Sequence, residues 1–386
     1  MTFPKIIYLA PSSRGYLPVD HHFCRTHIRL SRNEPTPGQA PALTYGRYFE
    51  AVAEVMSNND FKALLDAVSI KARREICAAD VEEILVYAEK HGSDYHPARI
   101  EVIIGGTTTA FVMNVASTER GKERLYREFD VLKHLNSKHG FPFLPRAYFK
   151  GETCRDSGED GKDGNLLVMF LADWFDGYDE FHLSVDTTTG VQGVVVWNRR
   201  KGNYYLPRFE AGQVYSQTAK ILTLYYDIET FEQIFPWHHA AGDFIIRVRG
   251  DSLDVRLVTA RQYVPMIDSV PVYEALLFFF LNLTVRMRLD RLDGVGAVAW
   301  AGNVCVGATL DGFLEGIRFK ERQGIIKVGF LDEFVKYAQS LDKEDIKGRF
   351  CALIDACDQA APDIGVIRKN LERHIQLLWE AIQGIG

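Results

Sequence analysis

Two β-rich runs, "RIEVIIGG" and "TAFVMNVAS", meet at a Gly-Gly-Thr-Thr turn between residues 99 and 117. Branched and aromatic residues on either side of paired glycines predict a hairpin. A long helical pattern follows at once, "TERGKERLYREFDVLKHLNSKHG", and then two more strand-like runs, "LPRAYFKGE" and "NLLVMFLADWF". Strand, strand, helix, strand, strand excludes an all-helical or all-β chain for this region. It predicts a small antiparallel sheet with one helix laid on it. The segment between the last two runs, "TCRDSGEDGKDG", reads as a charged, exposed loop.

On either side the texture differs. Residues 1 to about 45 are rich in Pro, Ser, Arg and Gly and read as an irregular arm, followed by two helices, "YGRYFEAVAEVMS" and "AADVEEILVYAEKHG". In the second, Asp80 as N-cap, Glu83 as its capping-box partner and terminal Gly92 support the helix. Beyond about residue 181 come a second hairpin in "VQGVVVWNRRKGNYYLPRFE", a helix in "AGQVYSQTAKILTLYYDIETFEQI", two short strands in "FPWHHAAGDFIIR" and "DVRLVTARQY", and then mainly helices. The last carries a stripe of Ile367, Leu371, Ile375, Leu378 and Ile382.

At 386 residues the chain exceeds one compact core. Three regions are expected: 1–95, an arm with helices; 96–180, a small strand-rich lobe; and 181–386, a large helical lobe. A net charge of -6 without long runs leaves no footprint for nucleic acid or an anionic membrane surface. The greasy stretches "ALLFFFLNLTV" and "VGAVAWAGNVCVGATL" are too short or too interrupted to span a bilayer. Six scattered cysteines without a CxxC pair point to a reducing, cytoplasmic setting.

This order resembles the protein-kinase-like fold, in its aminoglycoside and choline phosphotransferase branch, over roughly residues 97 to 320. The resemblance implies an α+β, two-lobed fold with a hinge near Asp173 to Tyr178. It also implies an ATP and magnesium site in which a third-strand lysine and a helix glutamate grip the nucleotide. A catalytic-loop aspartate, a magnesium-binding asparagine and the aspartate of a DFG-like turn complete that site. On the strand "AFVMNVAS" the lysine position is Asn114, which carries no charge. Glu128 takes the helix-glutamate position, on one face with Leu125, Leu132 and Leu135. Matched to a family loop of the form "HGDLHPGNIL", "PWHHAAGDFI" puts His238 at the catalytic aspartate and Asp243 at the metal asparagine. A rival register places Gly242-Asp243 on the first Gly-Asp and "FIIRV" inside the loop. Thr259-Ala260-Arg261 stand where the DFG-like aspartate is expected, so Thr259 offers no carboxylate and Arg261 brings positive charge. Gly105 and Gly106, with three threonines after them, stand at the glycine-rich loop, where a plain hairpin turn is the simpler reading.

Two metal readings compete with this set. "DHHFCRTH" packs His21, His22, Cys24 and His27 into seven residues, and His238, His239 and Asp243 form a possible 2-His-1-carboxylate set. The first spacing matches no zinc pattern, and in the second set adjacent histidines point apart on a strand. The glycines of "DGVGAVAWAGNVCVGATLDG" match no nucleotide loop and are expected to serve close helix packing. The expected function is therefore a pseudokinase that binds a small ligand or a protein partner in its interlobe cleft. One alternative is an active small-molecule phosphotransferase, with His238 as base, Asp243 on magnesium and Arg261 on phosphate. The other is a regulatory scaffold whose N-terminal arm covers the cleft.

Overall fold

The computed structural model describes residues 4–12, 15–28, 43–89, 92, 95–154, 166–198, 201–239, 242–250 and 252–386. Most of the expected charged loop at 153–164, and much of the expected arm, lie outside these residues. The chain is mixed α and β and divides into two compact units, residues 1–140 with 145–176, and residues 141–144 with 177–386.

The first unit is built on a seven-stranded sheet. Its strands are β1 (Lys5–Ser12), β2 (Gly15–Pro18), β3 (Glu83–Ala88), β4 (His96–Ile104), β5 (Thr107–Ala116), β6 (Ala147–Thr153) and β7 (Leu167–Asp173), in the order β2-β1-β3-β4-β5-β7-β6. Every pairing is antiparallel except β1 with β3. After the four-residue helix α1 (His21–Cys24) come α2 (Tyr45–Ser57) and α3 (Lys62–Ala72). Their apolar faces cover the sheet side that carries Ile84, Val86, Ile100, Val102 and Met113, forming one continuous core. α4 (Glu119–Lys138) packs on β5, β6 and β7, with Phe129 against Phe170 on the opposite side of the sheet.

Two expectations are corrected here. Residues 83–88 form a strand, not a helix, with Ile84, Val86 and Ala88 buried in strict alternation. The expected Asp80–Glu83 capping box is not formed; Asp80 instead closes a box with Cys77 on a single 3-10 turn, Ala78–Asp80, in which the Cys77 N–H donates to Asp80 Oδ2 at 2.8 Å. Period-2 burial was hidden because the other face also carries apolar residues, Leu85 and Tyr87. Likewise, residues 5–12 and 15–18 are not irregular: β1 extends the sheet by pairing with β3, 78 residues away in sequence, and β2 pairs with β1.

In the second unit, β8 (Glu180–Val185), β9 (Gln192–Trp197) and β10 (Tyr204–Tyr205) form an antiparallel sheet, and the expected hairpin at 192–205 is present. α5 (Arg208–Tyr225) packs closely on α7 (Val304–Arg322). A Cβ on Gly312 would stand 1.9 Å from the Ser216 carbonyl oxygen, and one on Gly316 would stand 2.8 Å from Thr223, so these glycines set the approach of the two helices. Three short antiparallel pairs complete the unit's strands: β11 (Glu232–Ile234) with β14 (Tyr263–Pro265), β12 (Phe244–Arg249) with β13 (Ser252–Leu257), and β15 (Leu289–Arg291) with β16 (Val298–Trp300). The helices α6 (Val272–Arg286), α8 (Phe330–Gln339), α9 (Lys343–Asp355) and α10 (Pro362–Gln383) make up the rest. Among the described residues no helix is long and apolar enough to cross a membrane.

Candidate functional site

Backbone pairing brings Asp243 and Arg261 together, although 18 residues separate them. The β12–β13 hairpin closes at Phe244 and Leu257, and the Val258 N–H then donates to the Asp243 carbonyl at 2.8 Å. The β11–β14 pair continues with the Phe235 N–H donating to the Gln262 carbonyl at 3.2 Å. The segment 258–262 is thus pinned alongside the loop at both ends. Arg261 donates through Nη1 to Asp243 Oδ2 at 2.7 Å and through Nη2 to Oδ1 at 2.5 Å, a two-pronged grip that fits a planar guanidinium. Nη1 also reaches the Pro236 carbonyl at 3.2 Å, and Asp243 Oδ2 accepts the His238 N–H at 2.9 Å. Asp243 is 3% exposed, whereas the Arg261 side chain is 39% exposed.

The two adjacent histidines point into different environments. The His238 imidazole is 59% exposed, with Nδ1 3.9 Å from Asp243 Oδ2. Desolvation by the surrounding loop, together with the Arg261 and Arg286 guanidiniums, holds it below its ordinary value against the pull of Asp243. Near pH 7 it is therefore a neutral imidazole. His239 is buried between Tyr215 and Phe181, with ring centroids 5.5 and 6.1 Å away. Burial lowers its pKa to about 4, and Asp290 only partly opposes this. Behind it, the Asp290 carboxylate accepts the Leu183 N–H at 2.7 Å and lies 3.8 Å from His182 Nδ1. Burial pushes Asp290 up, but His182, His239 and the Leu183 amide outweigh it, so the carboxyl is held below its usual range.

In the first unit, Asn114 is half-buried on β5, in register with Phe170 of β7 and so on the sheet side where α4 packs. Glu128 is 2% exposed on α4, within the stripe of Leu125, Leu132 and Leu135. Gly105 and Gly106, at φ 56° and 69°, form the two-residue turn between β4 and β5, a geometry that glycine adopts without strain. The Gly106 N–H donates to Glu82 Oε1 at 3.2 Å. A surface groove of about 540 Å³ between α2, α3 and β6 is lined by Glu54, Lys62, Asp66, Lys150 and Glu152 and contains none of the candidate residues. Thr259 lies in the pinned segment beside the loop, between Val258 and buried Ala260.

Among the described residues no three His, Cys, Asp or Glu side chains come together as a metal centre. Sequence reasoning missed His182, Arg286 and Asp290. Arg286 lies over the Phe235 ring at 4.8 Å and donates to Asn282, so a second guanidinium stands beside the loop. Only folding brings these residues to the loop, and no local spacing marks them. No family model matches the chain, and no curated protein matches it.

Proposed function

We propose that the chain is a degenerate kinase-like protein, a binding module whose loop at 235–243 has exchanged a metal ion for an internal cation. The observation that carries this reading is the grip of Arg261 on both oxygens of Asp243. In the family resemblance Asp243 stands at a magnesium ligand, and a magnesium ion there would have to displace a charge-assisted, two-pronged pair that is already largely buried. The loss of positive charge at Asn114 and of a carboxylate at Thr259 acts in the same direction. Several features support the fold-level part. With β3 included, β5 is the third of five consecutive antiparallel strands and α4 follows it, the positions at which the resemblance expects the lysine and the glutamate. β12 begins directly after Asp243, which favours the register with His238 at the catalytic position over the one that puts "FIIRV" inside a loop.

The ligand class follows from charge. Arg261 and Arg286 bring two guanidiniums to the neutral His238; of the nearby carboxylates, Asp243 is engaged by Arg261 and Asp290 by the Leu183 amide, while Glu180 lies beside Gly242. The site suits an anion, either a small phosphorylated or carboxylated molecule or an anionic group of a protein partner. A second reading, an active phosphotransferase, draws on one observation: His238 is exposed and neutral near pH 7, as a general base must be.

Calorimetric titration with ATP, with and without magnesium, separates the two readings. The binding-module reading predicts no magnesium-dependent binding at millimolar ATP, and inorganic pyrophosphate binding that needs no metal and weakens in Arg261→Gln. Micromolar, magnesium-dependent ATP binding, with turnover abolished in His238→Ala, would establish the enzyme instead.

A further inference from the structure

Arg288 lies between α6 and β15 in the second unit, 3% exposed. Its Nε and Nη2 both donate to the Ala301 carbonyl, at 2.9 and 2.6 Å, and Nη2 also reaches Asn303 Oδ1 at 3.2 Å. The guanidinium stands over the Trp300 ring at 4.8 Å. Nη1 is buried and has no hydrogen-bond partner. A guanidinium stays charged at any physiological pH, and a buried charge without a counter-charge is strongly disfavoured.

None of the groups around it supplies that counter-charge. The titratable neighbours that act on Arg288 are Tyr215 of α5 and Cys305 of α7, and Arg288 in turn acts on His374 of α10. Burial pushes the Tyr215 phenol well above its ordinary range and the Cys305 thiol up to about 12, so both are neutral. Burial also pushes His374 down to about 3, so it too is neutral, and its Nδ1 is a second buried atom without a partner. Asp290, two residues along, is engaged with His182 and the Leu183 amide.

We propose that the second unit binds a buried, halide-sized monovalent anion at Arg288 Nη1. One negative charge balances the site. A planar oxyanion is disfavoured because such ions are gripped by two parallel N–H groups, and here both Nε and Nη2 are committed to Ala301. Tyr215 stands between this site and His239 of the loop, but the proposal does not depend on the kinase-like reading.

The test uses the full-length chain, with bromide as the probe, against gluconate at equal ionic strength. Bromide should raise the melting temperature progressively with concentration, and Arg288→Met should lose this dependence. Crystals grown in bromide should show an anomalous peak within about 3.5 Å of Nη1, near hydrogen-bonding distance for a large anion. Equal melting temperatures in the two salts, or an identical bromide effect in Arg288→Met, would overturn the proposal. So would a crystal in which only water contacts Nη1, and this last measurement needs no variant.

Discussion

Arg99 in the first unit and Arg288 in the second are both largely removed from water, yet their surroundings are opposite. Arg99 lies on the half-buried face of β4, stacked 3.7 Å from the Tyr87 ring centroid and flanked by Tyr16 and Trp174. It is ion-paired to Glu89 at 3.0 Å and also to Glu101. Tyr16 and Tyr87 donate in turn to those carboxylates. One cation is thus answered by two carboxylates and three aromatic faces, all from the same unit. Arg288 has one aromatic face, two neutral oxygens and no carboxylate. The contrast separates a closed charge network, which needs nothing from solution, from an open one, which points to a ligand.

The largest expected effect sharpens the difference through pH. His239 and His374 are buried neutral in the second unit, at about 4 and about 3, against 6.5 for an unfolded histidine. The unfolded chain takes up protons first, so their contribution is full above pH 6.5 and is lost as pH falls through the window toward 4. Each histidine costs about 1.4 kcal/mol per pH unit there, or about 3 kcal/mol for His239 over the whole window. Denaturant unfolding at pH 8, 6 and 5 should show this loss, and His374→Leu should flatten it. An unchanged slope in that variant would place the pH sensitivity elsewhere.

A matched pair of substitutions breaks the comparison directly. Arg99→Met strands two carboxylates and should destabilise by about 3 kcal/mol, as removal of one partner from a buried ion pair does. Arg288→Met removes an uncompensated charge but strands the buried Ala301 carbonyl, and in low-halide buffer it should cost about 1 kcal/mol, less than Arg99→Met. Equal losses in chemical unfolding would erase the distinction between closed and open networks.

A smaller effect is expected at Asp243. Asp243→Asn keeps the shape of the side chain but loses charge-assisted bonds, with a loss of about 2 kcal/mol. It also releases the Arg261 guanidinium, so pyrophosphate affinity should rise about tenfold, equivalent to about 1.4 kcal/mol. A fall in affinity accompanied by loss of magnesium binding would restore Asp243 to the metal role.

Periodicity and turn chemistry made much of the scaffold readable. The hairpin of β4 and β5, the stripe on α4 that carries Glu128, the hairpin of β9 and β10 and the stripe on α10 all announce themselves within twenty or so residues. Within the stretch 293–312, the expectation that glycine serves helix packing is met at Gly312. What escaped is non-local. β3 looked helical because Asp80 and Glu83 imitate a capping box and both faces of the strand are apolar. β1 has its partner far along the chain, and nothing in "KIIYLAPS" names that partner. His238 and Asp243 could be singled out from one loop. The Asp243–Arg261 grip, the Asp290–His182 contact and the open valence of Arg288 arise only when separate strands pair.

The parallel pairing of β1 with β3 carries a consequence for how the protein is made. Lys5 lies opposite Glu83, so β1 leaves the ribosome 78 residues before its partner. At about 5–20 residues per second, that gap lasts several seconds. Through that interval "KIIYLA" is a β-branched segment with only the short β2 beside it, and closing the long loop to β3 comes slowly. β1 thus waits for β3, and the two can pair before β4 to β7 are made. That delay makes "KIIYLA" the natural stretch for a chaperone to shield during synthesis.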